Sequence, residues 1–372
     1  MALVYHSVEC QNVKDEYQAG ETLDFEITFE NRDLLANTIR LEGDLRVKQN
    51  NANVTMANNI KMDSRVGAVG LIESISCETQ QQGLLESIQD VGRLARMEAD
   101  ATMTANDYFQ STSVCELKTG NEQLSQALLL GIDNIPSGNN ATVVNLDNNF
   151  SMMLPFCFNR VSGDTTIGYG KTGTIRVSIN LSRVFGFLYG GADGTTSYSL
   201  KNVRLCYKSL PQGSKSGGSK SVMRTHISLK SSVASQFANI STKVPAVCDS
   251  VSVSFQQQNR EFTASHNNHD TEELPSVKEV QFLFQDSTNT YVTYQVRDRT
   301  DVLHKYLESL GSKGSNDARL LSLKANQSYG IGLRLPRPLD LSNQKFNIQI
   351  DSNVSNANPY IAYLFFHSFL EL

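Results

Sequence analysis

The run Gly168-Tyr169-Gly170-Lys171-Thr172-Gly173 has the spacing G-x-G-x-x-G and contains a Gly-Lys-Thr triplet. In a phosphate-binding loop such glycines let the backbone wrap the anion. A helix must then start directly after them, because its N-terminal amides hold the charge. Here Thr174 to Leu181 follows and alternates as a strand, and position 165 is Thr165 where the Walker spacing wants glycine. We read the run as a turn entering a strand. His266-Asn267-Asn268-His269-Asp270 sets two imidazoles three positions apart beside a carboxylate. In so polar a stretch this predicts a solvated loop rather than a metal centre. No G-x-S-x-G elbow occurs, and the six histidines are spread along the chain. The six cysteines (Cys10, Cys77, Cys115, Cys157, Cys206 and Cys248) form no C-x-x-C pair and read as reduced core thiols. These residues lead us to assign no catalytic, cofactor-binding or metal-ligating residue and to expect no cofactor and no enzyme.

Basic residues are equally unpromising as a nucleic-acid surface. The chain carries 33 Lys and Arg against 38 Asp and Glu, a formal charge of −5, which argues against a protein built to neutralise phosphates. Arg93-Leu94-Ala95-Arg96 reads as the solvated face of a short helix. Lys215 and Lys220 lie among glycines and serines without interleaved aromatics. The start Met1-Ala2-Leu3-Val4-Tyr5-His6 has no basic stretch followed by an apolar run, so no signal peptide is expected. No segment approaches the roughly 20 apolar residues of a membrane-spanning helix.

The elements that would position any site are strands. Leu23, Phe25, Ile27 and Phe29 alternate with Asp24, Glu26 and Thr28. Ile39, Leu41, Leu45 and Val47 alternate with Arg40, Glu42, Asp44 and Arg46, and Ile175, Val177, Ile179 and Leu181 with Arg176, Ser178 and Asn180. The same period recurs at Val203-Leu205-Tyr207, Val251-Val253-Phe255, Val280-Phe282-Phe284 and Phe346-Ile348-Ile350. A period of two puts one face on a core and the other in water, which is an all-β signature. Two segments read as helices. In Leu84 to Met97 the residues Leu84, Ile88, Val91 and Ala95 make one stripe. In Thr300 to Leu310 the stripe is Leu303, Tyr306, Leu307 and Leu310, with Thr300 or Asp301 as cap and Gly311 as stop. Tyr360 to Phe366 is apolar on both sides of an alternating strand, which fits burial on both faces or packing against a neighbouring subunit.

At 372 residues the chain has a prior of two or three domains. Pro211-Gln212-Gly213-Ser214-Lys215-Ser216-Gly217-Gly218-Ser219-Lys220 has the composition of a connector. It divides the chain into 1–211, which includes an N-terminal arm, and 212–372. Each part has strands, then one helix, then a Tyr-rich closing strand, without residue-level repetition.

With these elements placed, the chain resembles the double jelly-roll major capsid proteins of tailless icosahedral DNA viruses, the adenovirus-type lineage. The first long strand is matched by Leu34-Leu35-Ala36-Asn37-Thr38-Ile39-Arg40-Leu41-Glu42-Gly43-Asp44-Leu45. The next strand, turn and helix are matched by Gly70 to Ile75 and Gly83 to Ile88, and the closing strand of the first roll by Tyr198 to Tyr207. Leu274 to Val277, Asn326 to Gly332 and Leu339 to Phe346 are similar to the second roll's later strands. The resemblance implies two tandem eight-stranded jelly-roll β-sandwiches with a short helix in each. It further implies pseudo-hexagonal homotrimers tiling a virion shell, in contact with neighbouring trimers and with penton, vertex and minor capsid proteins. An internal membrane commonly lies beneath such shells, and no direct sequence-specific nucleic-acid binding is implied. On this reading residues 1–20 and 360–372 contribute to packing between subunits. The alternative is a tandem β-sandwich binding module, such as a vertex or spike protein or a lectin-like adhesin. The absence of Trp weakens the carbohydrate-binding form of it.

Overall fold

The computed structural model describes residues 3–102, 116–118, 148–213, 220–244, 246–285, 290–295, 299–311, 328–342 and 344–371. The alternating segments are strands, and their apolar positions are the buried ones. Thr22–Ile27 buries Leu23, Phe25 and Ile27, while Ile175–Leu181 buries its four apolar residues and leaves Arg176 and Asn180 exposed. These two strands pair antiparallel from Ile175 opposite Ile27 to Asn180 opposite Thr22, a register that stacks the apolar positions on one face. The longest strand, Arg32–Gln49, holds Ile39, Leu41, Leu45 and Val47 in the same core.

Eight main strands in the first half make two sheets. One runs in the order Val4–Glu9, Thr196–Pro211, Arg32–Gln49, Thr166–Gly168, with Asn148–Met153 also paired to Arg32–Gln49. The other runs Thr22–Ile27, Ile175–Leu181, Ile72–Thr79, Gly83–Gln89. In the second half Ser221–Val233, Tyr360–Glu371, Val247–Gln257 and Ile331–Asp340 form one sheet, and Phe237–Lys243, Lys345–Asp351, Glu279–Gln285 and Thr290–Gln295 the other. Counted in chain order within each half, the sheets are 1-8-3-6 and 2-7-4-5 both times. That order is the jelly roll. Each half also carries a helix directly after its fifth strand, at Val91–Thr102 and Arg299–Ser309. The repetition that residue identities hide is therefore present in the strand order.

The two sheets of the second roll are locked by aromatics. Phe346 stands 5.0 Å from Phe284 within its own sheet and 5.2 Å, edge to face, from Phe366 of the facing sheet. Tyr360–Glu371 lies between Ser221–Val233 and Val247–Gln257 and is buried on both faces, so its apolar content belongs to a central strand of its own chain. Val4–Glu9, at the N-terminal end, is likewise a sheet member, pairing through six residues with Thr196–Pro211.

One helix lies elsewhere than its stripe predicts. Gly83–Gln89 is a strand, and the helix begins only at Val91. The inward positions of that strand are Glu86 and Ile88, and a carboxylate in an inward position masks the period of two. Asp90, at φ +55°, breaks the chain between strand and helix. At the other helix Gly311 takes φ +90° and ends it as expected. The Gly168–Gly173 run makes one short turn of helix, Tyr169–Thr172, and then enters the strand Ile175–Leu181. The connector's residues 214–219 lie outside the described residues.

Candidate functional site

The two rolls are joined through one sheet. Gly83–Gln89, the last strand of the first roll's 2-7-4-5 sheet, meets Ser221–Val233, the first strand of the second roll, with Ser87 opposite Ile227 in parallel. Beyond the pair, the Gln89 amide donates to Ser228 Oγ at 2.6 Å. Further along the same edge Val161–Gly163 pairs antiparallel with Ser221–Met223, and the Arg224 amide donates to the Arg160 carbonyl at 2.9 Å. The result is a nine-stranded sheet that crosses from one roll to the other.

The helix Val91–Thr102 sits over this seam, and its arginines point into the joint. Arg93 is 1% exposed. Its guanidinium donates to Gln256 Oε1 at 2.5 Å, to the Asp270 carbonyl at 2.6 Å and to the Asn268 carbonyl, and lies 3.9 Å above the Tyr363 ring. All four partners belong to the second half. Arg96 pairs with Asp63, Asp100 and Asp270, and Arg65 also pairs with Asp100. Burial alone would raise the Asp63 carboxyl, but Arg96 beside it overrides that and holds it below the usual range. The pair expected on a solvated helix face is thus the bolt between the sandwiches. A charge run in a chain without apparent partners reads as surface; here Gln256, Asn268 and Asp270 arrive from more than 160 residues away, and Asp63 and Asp100 from the first half complete the set.

The His266–Asp270 segment is corrected in the same way. His269 is buried against the helix, so close that a Cβ on Gly92 would come within 2.3 Å of its Nε2. Gly92 is glycine because that ring occupies its side-chain space. Burial lowers the His269 ring to about 4, so it is neutral here. Asn267 Nδ2 donates to Asp63 Oδ2 at 2.7 Å, tying the loop to the first roll.

A second polar group lies beneath the seam. Glu86 accepts from the amides of Cys157 and His226, both at 2.7 Å, and burial pushes its carboxyl up to about 7 despite Arg160 nearby. His226 and His367 are cross-strand partners with rings 4.9 Å apart. Burial lowers both rings well below the usual imidazole range, and the Arg160 and Arg224 guanidiniums lower them further. Among the described residues Glu98, His226 and His367 are the one group of three or more whose ligand atoms lie close enough to hold a metal, all within 4.8 Å of one another. Sequence reading missed this group because its members stand 128 and 141 positions apart along the chain.

Burial raises Cys10 to about 11 and Cys248 to about 12, and Cys157 is raised too. Cys10, Cys77, Cys157, Cys206 and Cys248 are free, and Cys115 lies outside the described residues. On the outside of the first roll a groove of 1050 Å³ runs along Glu9, Lys14, Glu42, Asp44, Phe150 and Arg204. No described helix is long and apolar enough to cross a membrane.

Against known proteins, no protein-family model matches the chain, and no curated protein does. Solved structures do. The chain superposes on the capsid of the virus PBCV-1 with a TM-score of 0.58 at 10% identity, over 100% of this chain and 94% of that one. It superposes on the Faustovirus major capsid protein at 0.57 and 9%, covering 100% and 90%, and on the mavirus major capsid protein at 0.50 and 10%, covering 99% and 90%. The fold is a double jelly roll. The resemblance drawn from the strand pattern thus holds for the architecture, along almost the full length of each partner.

Proposed function

We propose that this chain is a structural major capsid protein. The observation that carries the reading is the pair of jelly rolls of identical strand order joined edge to edge by a nine-stranded sheet and a buried polar joint. Three copies around an axis present six similar wedges, a nearly hexagonal outline that packs a surface without gaps. The unit then works by its contacts and not by catalysis. Its partners are two further copies, neighbouring trimers, and penton, vertex and minor proteins of an icosahedral virion, with an internal membrane beneath. The solved structures it resembles are capsid components, which supports a place in the virion. We place the division of the chain at the connector, 1–211 and 212–372, because the first strand order closes with Thr196–Pro211 and the second opens with Ser221–Val233.

The test is assembly. Purified full-length protein should run as a trimer by light scattering and show hexagonal tiles by negative stain, with each interface burying well over about 2,000 Å², as obligate assemblies do. A stable monomer at high micromolar concentration that never tiles would overturn the reading. Glycan binding by that monomer would favour the adhesin-like alternative.

A further inference from the structure

We propose that Glu98, His226 and His367 form a binding site for one divalent transition-metal ion of the zinc class, clamping the two jelly rolls together. The inference stands apart from the capsid reading, since it needs only the geometry within one chain.

Three donors converge from three elements: Glu98 from the helix Val91–Thr102, His226 from Ser221–Val233 and His367 from Tyr360–Glu371. Both rings are fully buried, and each has one nitrogen occupied and one bare. Ser252 Oγ lies 2.8 Å from His367 Nε2, while His367 Nδ1 has no hydrogen-bond partner among the described residues. Glu86 Oε1 lies 3.2 Å from His226 Nδ1, while His226 Nε2 has none. Two unpartnered ring nitrogens in a closed interior are costly, and native interiors rarely leave them so. Glu98 is set the same way, with Oε2 held by Arg160 at 3.0 Å and Oε1 directed at His226 Nε2 from 3.5 Å. That separation is too long for a hydrogen bond. It is close to the roughly 3.3 Å between two ligand atoms that each stand about 2.0 Å from a tetrahedral ion.

The occupied nitrogens and oxygen are what an orienting outer shell looks like. Arg160 Nη1 also stands 3.0 Å from His226 Nδ1, so the ring has two settings. In one, Arg160 donates to Nδ1 and a proton sits on Nε2, facing Glu98. In the other, Nδ1–H donates to the Glu86 carboxylate and the Nε2 lone pair is free. A metal ion selects the second setting, in which the ring proton has moved from Nε2 to Nδ1 and the imidazole stays neutral. Two imidazoles and one carboxylate suit zinc or cobalt(II) and not calcium or magnesium, which take oxygen ligands. Glu98 is about a quarter exposed, which gives the ion a way in and leaves the fourth position to water. Arg160 and Arg224 offset the charges of Glu86 and Glu98, so the site binds more weakly than the same ligands would without guanidiniums nearby.

The experiment uses full-length protein stripped by a chelator and titrated with cobalt(II), then zinc, with calcium and magnesium as controls. One equivalent of cobalt should give the absorption bands of a tetrahedral ion, zinc should displace it, and the melting temperature should rise by several degrees with zinc or cobalt and not with calcium or magnesium. Glu98→Gln and His367→Gln should each abolish the bands and the thermal shift. Glu98 is partly exposed on its helix, so Glu98→Gln keeps its fold and decides the matter if His367→Gln does not. Absence of bands in the unaltered chain, or bands that survive Glu98→Gln, would overturn the proposal, the latter marking uptake by surface histidines.

Discussion

The two helices occupy the same place in two rolls of the same strand order, yet they are held by opposite chemistry. Arg299–Ser309 buries one side, with Val302, Leu303, Tyr306 and Leu310 on the sheet of its own roll, and leaves His304 to solvent. Val91–Thr102 is enclosed on both sides. Val91, Leu94 and Met97 pack on the first roll, and Arg93 and Arg96 reach into the second. Each helix has an i,i+4 polar pair, Arg96 with Asp100 and His304 with Glu308. The first pair is shut inside the joint and the second stands in water. Topology can be copied while the energetics are rewritten, because a helix with a domain against its back needs partners for whatever that back carries.

The contrast can be broken most forcefully at Arg93. Arg93→Ala should cost about 3–5 kcal/mol in denaturant unfolding, because three buried acceptors and the face of Tyr363 lose their cation together. A loss below about 1 kcal/mol would mean the joint is held by the sheet alone. Asp100→Asn should cost about 1.5–3 kcal/mol by weakening its pairs with Arg65 and Arg96. Gly92→Ala should cost about 1–3 kcal/mol, although alanine favours a helix by about 1 kcal/mol, because the new methyl strikes the His269 ring. A second change, His269→Ala, should restore most of that loss.

Acid sharpens the comparison from another side. The folded-state values of His226 and His367 lie below the roughly 6.5 of an unfolded chain, so below that pH the unfolded chain takes up protons the native state refuses. Stability is then lost as pH falls. Glu86 acts with the opposite sign: held near about 7, it keeps its proton from about 4.5 upward, and its contribution is lost as pH rises through that window. His367→Gln should therefore flatten the acid limb of a stability–pH curve by about 1.4 kcal/mol per pH unit, and an unchanged slope would show that the ring titrates normally. The smallest effect belongs to the exposed pair. Glu308→Gln should change stability by no more than about 0.5 kcal/mol and should do so only at low salt.

Much of the architecture is legible in the bare chain. Alternation at Leu23 to Ile27, Ile175 to Leu181 and Phe346 to Ile350 reports a local requirement, one face in and one face out, that each strand meets with its own residues. The helix stop at Gly311 and the strand after the Gly168–Gly173 turn follow from the same short-range rules, whereas the helix starts at Arg299, ahead of the Thr300 or Asp301 expected to cap it. The joint is not legible, and the reason is geometric. Ser250, Ser252, Ser254 and Gln256 read as the solvent face of a strand, yet all are buried; Arg93 of the first roll meets Ser254 and Gln256, and the second roll's own helix lies over Gly332, the partner of Ser252. Glu86 fills an inward position where the pattern expects an apolar residue, and Arg93 looks like a surface cation until Gln256 and Asn268 arrive from the other roll.

What the amino-acid order settled alone is periodicity: which residues face a core, and hence that the fold is built mainly of strands. Only the tertiary structure decided which polar residues are interior. Burial of a charge depends on whether its counter-groups, brought from over 160 positions away, are already in place when water leaves.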